Sequence, residues 1–207
     1  MYAGKLRYQK SKVASEYHKR RTMGIKGSIT HYLEHRLIEK AIKHVLTDCK
    51  TALDVPCGDG RLIPLYKSLG LDLSYADISD EMMAIAKEKT SGPFYKMDLE
   101  SPNIDKTFDL VLCIRLMDHL PESVKVNVLR SLHSLTNKYV ILTYSTPSLQ
   151  SKRRELKYGN QGGRFPIKRD YFIYLANIAG FSVIREYRLL PYISETNVMV
   201  LKRQNDI

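Results

Sequence analysis

From residue 51 onward, short apolar runs alternate with amphipathic runs, and this rhythm constrains the fold more than any other feature of the chain. TALDVPC (51–57), LSYADIS (73–79), PFYKMDL (93–99), FDLVLCIRL (108–116) and KYVILTYS (138–145) read as strands. Between them, RLIPLYKSL (61–69), DEMMAIAKEK (80–89) and SVKVNVLRSLHSL (123–135) carry apolar residues at helical spacing. The 80–89 helix has a cap at Ser79 or Asp80. The runs at 108–116 and 138–145 are almost unbroken in apolar character, as befits strands buried on both faces. Strand–helix alternation predicts a parallel, doubly wound α/β sheet. A helix over 168–180, ending at Gly180, precedes two closing strands, 181–190 and 195–203. They form a hairpin and give a seven-stranded, mostly parallel sheet an antiparallel edge.

A chain of 207 residues is long enough to bury one sizeable α/β core. With 43% hydrophobic and 27% charged residues, global disorder is excluded. There is no repeat and no linker rich in Pro, Gly or Ser. The expected organisation is one domain over 51–207, carrying a basic insertion at 148–168, behind an N-terminal helical extension over 1–50. That extension reads as helices over 9–21 and 30–46, the second with a stripe of Leu33, Leu37, Ile38, Ala41, Ile42 and Val45. No apolar run reaches the roughly 18 residues of a membrane span, and the N-terminus lacks the apolar core of a secretory signal. Cys49, Cys57 and Cys113 form an odd, scattered set without a CxxC pair, which points to a reducing cytoplasm and away from disulfides or a cysteine metal centre.

The net charge of +11 is unevenly spread: residues 1–50 carry +8, 51–149 carry −3 and 150–170 carry +5. Two cationic flanks around a mildly acidic middle suit an anionic partner. The chemistry concentrates in that middle. Asp54-Val55-Pro56-Cys57-Gly58-Asp59-Gly60-Arg61 lies between the first strand and the first helix. Its glycines permit a tight turn and a close approach to a ligand, and the following helix offers free N–H groups and a positive dipole end. The loop is neither a nicotinamide fingerprint, since Pro56 takes the first glycine place, nor a P-loop, since no Gly-Lys-Ser/Thr follows. The second strand ends in Asp77, placed to accept both hydroxyl hydrogens of a ribose. The third ends in Asp98, placed to accept from an adenine amino group.

This ordered set resembles class I S-adenosylmethionine-dependent methyltransferases of the broad small-molecule type. LDVPCGDGR is similar to the family's glycine-rich first motif, YADISDEMMAIAKEK to its second-strand motif, KMDLE to the adenine-side motif and FDLVLCIRLMDHLP to the fourth-strand motif. The resemblance spans about 51–145 and extends to a terminal hairpin over 181–203. Pro56, where glycine is usual, departs from it. It implies a Rossmann-like fold, an S-adenosylmethionine cofactor and a cofactor site drawn from Asp54, Pro56, Cys57, Gly58, Gly60, Arg61, Asp77, Ile78, Asp98, Leu99, Cys113 and Ile114. Ile78 would lie beside adenine, and Cys113 and Ile114 near the methionine moiety.

On the acceptor side, His119 follows the fourth strand, and a neutral imidazole there can take a proton from the acceptor. Asp118 and Tyr144 are weaker bases, and Arg115, Tyr144, Arg153 and Arg154 are candidate substrate contacts. The extension reads as a lid, and the basic segment 152–169, with Tyr158 and Phe165 interleaved, as the opposite wall. The expected acceptor is small or linked to a lipid or glycan, and anionic; peripheral membrane contact is left open. Two other readings stand beside it: an RNA methyltransferase, supported by the basic N-terminus, and a non-catalytic cofactor-binding partner protein. His31, Glu34 and His35 match an H-x-x-E-H zinc-peptidase pattern without a third ligand, so no metal is expected. Cys57 reads as a packed thiol.

Overall fold

The computed structural model describes the backbone of residues 25–30 and, with side chains, residues 31–148, 151, 153, 156–157, 164–189 and 195–204. The expected helix over 9–21 lies outside the described residues, as do Arg154 and Tyr158. Helix α1 (Ile25–Val45) leads into β1 (Thr51–Asp54), α2 (Ile63–Lys67), β2 (Asp72–Asp77), α3 (Asp80–Lys87) and β3 (Phe94–Lys96). Then follow β4 (Phe108–Cys113), α4 (Glu122–Leu135), β5 (Thr136–Ser145), α5 (Arg169–Ile178), β6 (Phe181–Arg188) and β7 (Thr196–Arg203).

The seven strands form one sheet in the order β3-β2-β1-β4-β5-β7-β6. β1 to β5 run parallel to one another, with Leu53 opposite Ser74 on one side and Val111 on the other. β7 is antiparallel to both β5 and β6. The closing strands therefore pair as expected, but the antiparallel member is interior: β7 slots between β5 and β6, and β6 is the edge. The burial pattern explains the order. All but the last two residues of β7 are buried, whereas β6 buries only Phe181.

Successive residues of each strand face opposite layers. Val111 and Cys113 pack with Leu129 and Leu132 of α4 and Phe172 and Leu175 of α5. Leu110 and Leu112 pack with Ile38 and Ile42 of α1, Ile63 and Tyr66 of α2 and Met83 of α3. The stripe expected on the second N-terminal helix is thus core: Ile38, Ala41 and Ile42 are fully buried. α2 is shorter than its apolar pattern, because the turn before it runs on through Leu62. Ser79 is the cap of α3, its Oγ accepting from the Met82 N–H at 3.3 Å. Strand order reverses between β1 and β4, which opens a crevice at their carboxyl ends.

Candidate active site

The crevice is lined by the loops that leave β1, β2, β3 and β4. Pro56, Cys57, Gly58 and Arg61 come from the first. Asp77 and Ile78 end β2, and Asp98 and Leu99 follow β3. Ile114, Arg115 and His119 follow β4, with Leu116 and Leu120 beside them. Most candidate positions therefore meet around one cavity, although they span 64 residues of sequence from Pro56 to His119.

The turn after β1 is held at several points. The Val55 N–H donates to Leu112 O at 2.9 Å and the Cys57 N–H to Ala76 O at 2.8 Å. Gly58 and Gly60 adopt φ of 55° and 72°, the left-handed region that glycine enters without a Cβ penalty. Asp77 closes the arrangement. Its Oδ2 accepts from the Gly58 N–H at 2.8 Å and its Oδ1 from the Ser79 N–H at 2.9 Å. One carboxylate thus joins the glycine turn, the end of β2 and the start of α3. Burial pushes its pKa above the ordinary carboxylate range, and the N–H groups of Ser79 and Gly58 oppose that rise.

Asp54 lies under the turn rather than on the cavity wall, at 2% exposure. Burial raises its carboxyl from the ordinary 3.8 to about 8; Arg61 opposes the rise and Asp77 adds to it. The Tyr66 hydroxyl is close enough to lower the Asp54 pKa, yet no well-aligned hydrogen bond joins them among the described residues. Asp54 is therefore protonated at neutral pH in the folded chain and ionised once unfolded. Between about pH 4 and 8 the unfolded state binds fewer protons, so this group's contribution to stability falls as pH rises. Asp54→Asn is expected to remove that slope, whose ceiling is about 1.4 kcal/mol per pH unit. Urea unfolding of both proteins at pH 5 and 7.5 checks it: a stability difference between them that is the same at the two pH values would refute the assignment.

Gly60 and Cys113 also lie behind the wall. Gly60 packs against Ile63 and Ala86, and Cys113 is fully buried beneath the sheet's end. Burial pushes the Cys57 thiol far above its ordinary range, with Asp54 and Asp77 adding to the rise, so it is a packed thiol. Tyr144 does not reach the cavity: its ring is fully buried, stacks on Phe172 at 4.5 Å and donates to Glu186 at 2.6 Å. Arg153 is exposed and away from the cavity. Asp118 is buried behind His119, and both its carboxylate oxygens lack a hydrogen-bond partner among the described residues.

Lys125 of α4 interacts electrostatically with Asp118, and its ammonium donates to Leu120 O and, at 3.0 Å, to Phe165 O. Burial lowers its pKa to about 8, with Asp118 and Glu122 opposing. The Phe165 N–H in turn donates to Asp118 O at 2.7 Å. These bonds fasten the end of the basic segment to the turn that carries His119.

Glu34 was hidden in the sequence by the H-x-x-E-H pattern. The His31 and His35 rings do lie side by side, with centroids 4.2 Å apart. Glu34 instead turns into the protein, where it meets Arg115 and Arg61. Its position four residues before Ile38, on the buried stripe of α1, was the available signal. Among the described residues no group of three or more His, Cys, Asp or Glu is arranged to hold a metal.

Residues 52–138 match the family model described as a methyltransferase domain. An uncharacterized methyltransferase of Staphylococcus carnosus is 28% identical over 138 residues, 61% of this chain and 64% of the relative. Magnesium protoporphyrin IX methyltransferase of Arabidopsis thaliana is 35% identical over 104 residues, 46% of this chain and 32% of the relative. The chain thus spans less than two thirds of each of these relatives. Among solved structures, magnesium protoporphyrin IX methyltransferase of Synechocystis with S-adenosylhomocysteine bound superimposes with a TM-score of 0.79 at 18% identity, over 97% of this chain and 100% of that one. A Burkholderia thailandensis 1,6-didemethyltoxoflavin N1-methyltransferase gives 0.70 at 16% identity, over 99% and 89%. The sheet order, the crevice and the matched segment agree: residues 52–138 match a methyltransferase domain, and the chain has the fold of class I S-adenosylmethionine-dependent methyltransferases.

Proposed function

We propose that the chain is an S-adenosylmethionine-dependent methyltransferase acting on a small-molecule acceptor. The observation that carries this reading is the convergence of the glycine turn, Asp77, Asp98, Arg61 and His119 on one cavity at the strand-order switch. The cavity suits such a ligand in two further ways. A Cβ added at Gly58 meets nothing within 4 Å, so there is open space over the turn. The Arg61 Nη1 and Nη2 atoms are buried at the wall without a hydrogen-bond partner among the described residues, which suits a carboxylate.

In this reading the Asp77 carboxylate receives the ribose hydroxyls and Asp98 the adenine amino group. Ile78 and Leu99 flank the adenine, and Arg61 takes the amino-acid carboxylate. The sulfonium supplies an already activated methyl group, so the chain's main task is alignment. His119 holds the acceptor side and takes the acceptor's proton where the nucleophile carries one. Arg115 sits between the two halves. The cationic flanks favour an anionic acceptor. A cytoplasmic location accords with three free, buried cysteines; no helix among the described residues is long and apolar enough to cross a membrane. The reading inherits support from small-molecule methyltransferases of the same fold.

Calorimetric titration with S-adenosylhomocysteine is the direct test, followed by transfer of labelled methyl groups to a panel of small carboxylates, phenols and amines. Micromolar affinity, about −8 kcal/mol, is expected. His119→Ala is expected to leave that affinity unchanged and to slow turnover at least tenfold. Absence of nucleoside binding by the full chain would sink the reading. Binding without transfer to any acceptor would favour a non-catalytic partner, and transfer to RNA alone the macromolecular alternative.

A further inference from the structure

The Glu34 carboxylate is 1% exposed, and it comes from the N-terminal helix rather than from the domain that forms the cavity. A carboxylate this deeply buried needs opposite charge close by. Arg115, 81 residues away, supplies it in the two-point form that a guanidinium fork favours: Nε donates to Oε1, and Nη2 donates to Oε2 at 2.8 Å. Arg115 is held at its backbone too. Its φ is 67°, a left-handed value that no other described non-glycine residue adopts, and its N–H donates to Thr143 Oγ1 at 2.7 Å. A bulky residue keeps such a conformation only where its surroundings over-determine it.

Arg61 approaches the same carboxylate, with Nη1 3.5 Å from Oε2, the oxygen that also accepts from Arg115 Nη2. That contact is an ion pair without hydrogen-bond alignment. Hence Arg61 is fixed by charge, while its two terminal nitrogens keep their donors unspent at the cavity wall. Among the described residues, two guanidinium groups thus face this one carboxylate. An arginine deprived of that carboxylate beside a second guanidinium turns toward water.

We propose that Glu34 is a positioning residue: through it, helix α1 holds Arg61 and Arg115 in place and so sets the affinity of the cavity for nucleosides that carry a carboxylate. The inference rests on the S-adenosylmethionine reading of the cavity and adds to it that the site is incomplete without the N-terminal helix. Glu34→Gln keeps the size of the side chain and one acceptor for Arg115 but removes the charge that holds Arg61.

Two nucleosides make the test, S-adenosylhomocysteine with its amino-acid carboxylate and 5′-methylthioadenosine without one. Calorimetry on the full chain is expected to show Glu34→Gln binding S-adenosylhomocysteine at least tenfold more weakly. 5′-Methylthioadenosine should bind within twofold of the unsubstituted protein. Arg61→Gln, which leaves the Glu34–Arg115 pair intact, is expected to show the same selective loss and serves if Glu34→Gln does not fold. Equal weakening of both nucleosides would mark Glu34 as merely structural and overturn the proposal. So would no change in either, or tighter binding of S-adenosylhomocysteine, which would make Glu34 a competing anion. An unsubstituted protein that binds both nucleosides equally well would overturn it while leaving the cavity's function standing. One that binds neither would remove the function reading itself.

Discussion

Gly60→Ala is expected to cost the fold about 3 kcal/mol or more, and Gly58→Ala, two residues away in the same turn, only about 1–2 kcal/mol. Both glycines have positive φ, 72° and 55°, so both substitutions incur the left-handed penalty of about 1–2 kcal/mol. They differ in what the added methyl meets. At Gly60 it would lie 2.5 Å from Ile63 Cδ1 and 3.0 and 3.1 Å from Ala86 Cβ and Cα. The Ile63 side chain can turn aside, but the Ala86 backbone belongs to α3 and is fully buried. Relief therefore requires α3 to move away from β1, and overpacking of this kind adds about 1–3 kcal/mol. At Gly58 nothing lies within 4 Å. Its methyl would instead project into the space assigned to the ligand. The two variants should thus separate in opposite ways. Gly60→Ala lowers the urea midpoint sharply, and Gly58→Ala largely keeps it while weakening S-adenosylhomocysteine binding. Equal midpoints for the two would contradict the packing described here.

These positions also show what the sequence discloses and what it withholds. The α/β alternation is legible because each strand is short and buried, so its apolar run is nearly continuous. The cavity is legible because four of its walls are strand ends, which the alternation itself locates. Gly58 and Gly60 look alike in the sequence, and only the fold shows that one faces open space and the other a helix. The place of β7 was not legible: a hairpin reading of 181–203 is satisfied by either order of its strands, and burial of β7 on both faces decides between them. Tyr144 shows the limit for side chains. It sits near the carboxyl end of β5, at the correct edge of the sheet, but strand alternation turns its ring into the α4–α5 layer against Phe172. Glu34 was missed for the reverse reason. Its partners are 27 and 81 residues away, and local pattern offered a metal motif in their place.

Asp77→Asn is expected to weaken S-adenosylhomocysteine binding at least a hundredfold, about 2.7 kcal/mol, the largest functional effect of any single substitution considered. The carboxylate already accepts two backbone N–H groups, from Gly58 on one oxygen and Ser79 on the other, at 2.8 and 2.9 Å. Each oxygen retains a lone pair for a ribose hydroxyl. An asparagine has one oxygen. Whichever way its amide turns, the NH₂ group faces a backbone N–H, and a buried donor is left without an acceptor at a cost of about 1–3 kcal/mol. The turn must then give, and with it the open face at Gly58. A ligand would lose both a charge-assisted acceptor and the shape of the loop that cradles it. Asp98 provides the contrast. Its Oδ1 accepts from the Glu100 N–H at 3.1 Å, and an asparagine oxygen can keep that bond, so Asp98→Asn should cost less than tenfold. Calorimetry on the two variants, with urea unfolding alongside, separates the effects. A loss of affinity at Asp77→Asn no greater than at Asp98→Asn would mean that the ribose end of the ligand is read elsewhere, and the assignment of the cavity would have to be redrawn around the β3 and β4 loops.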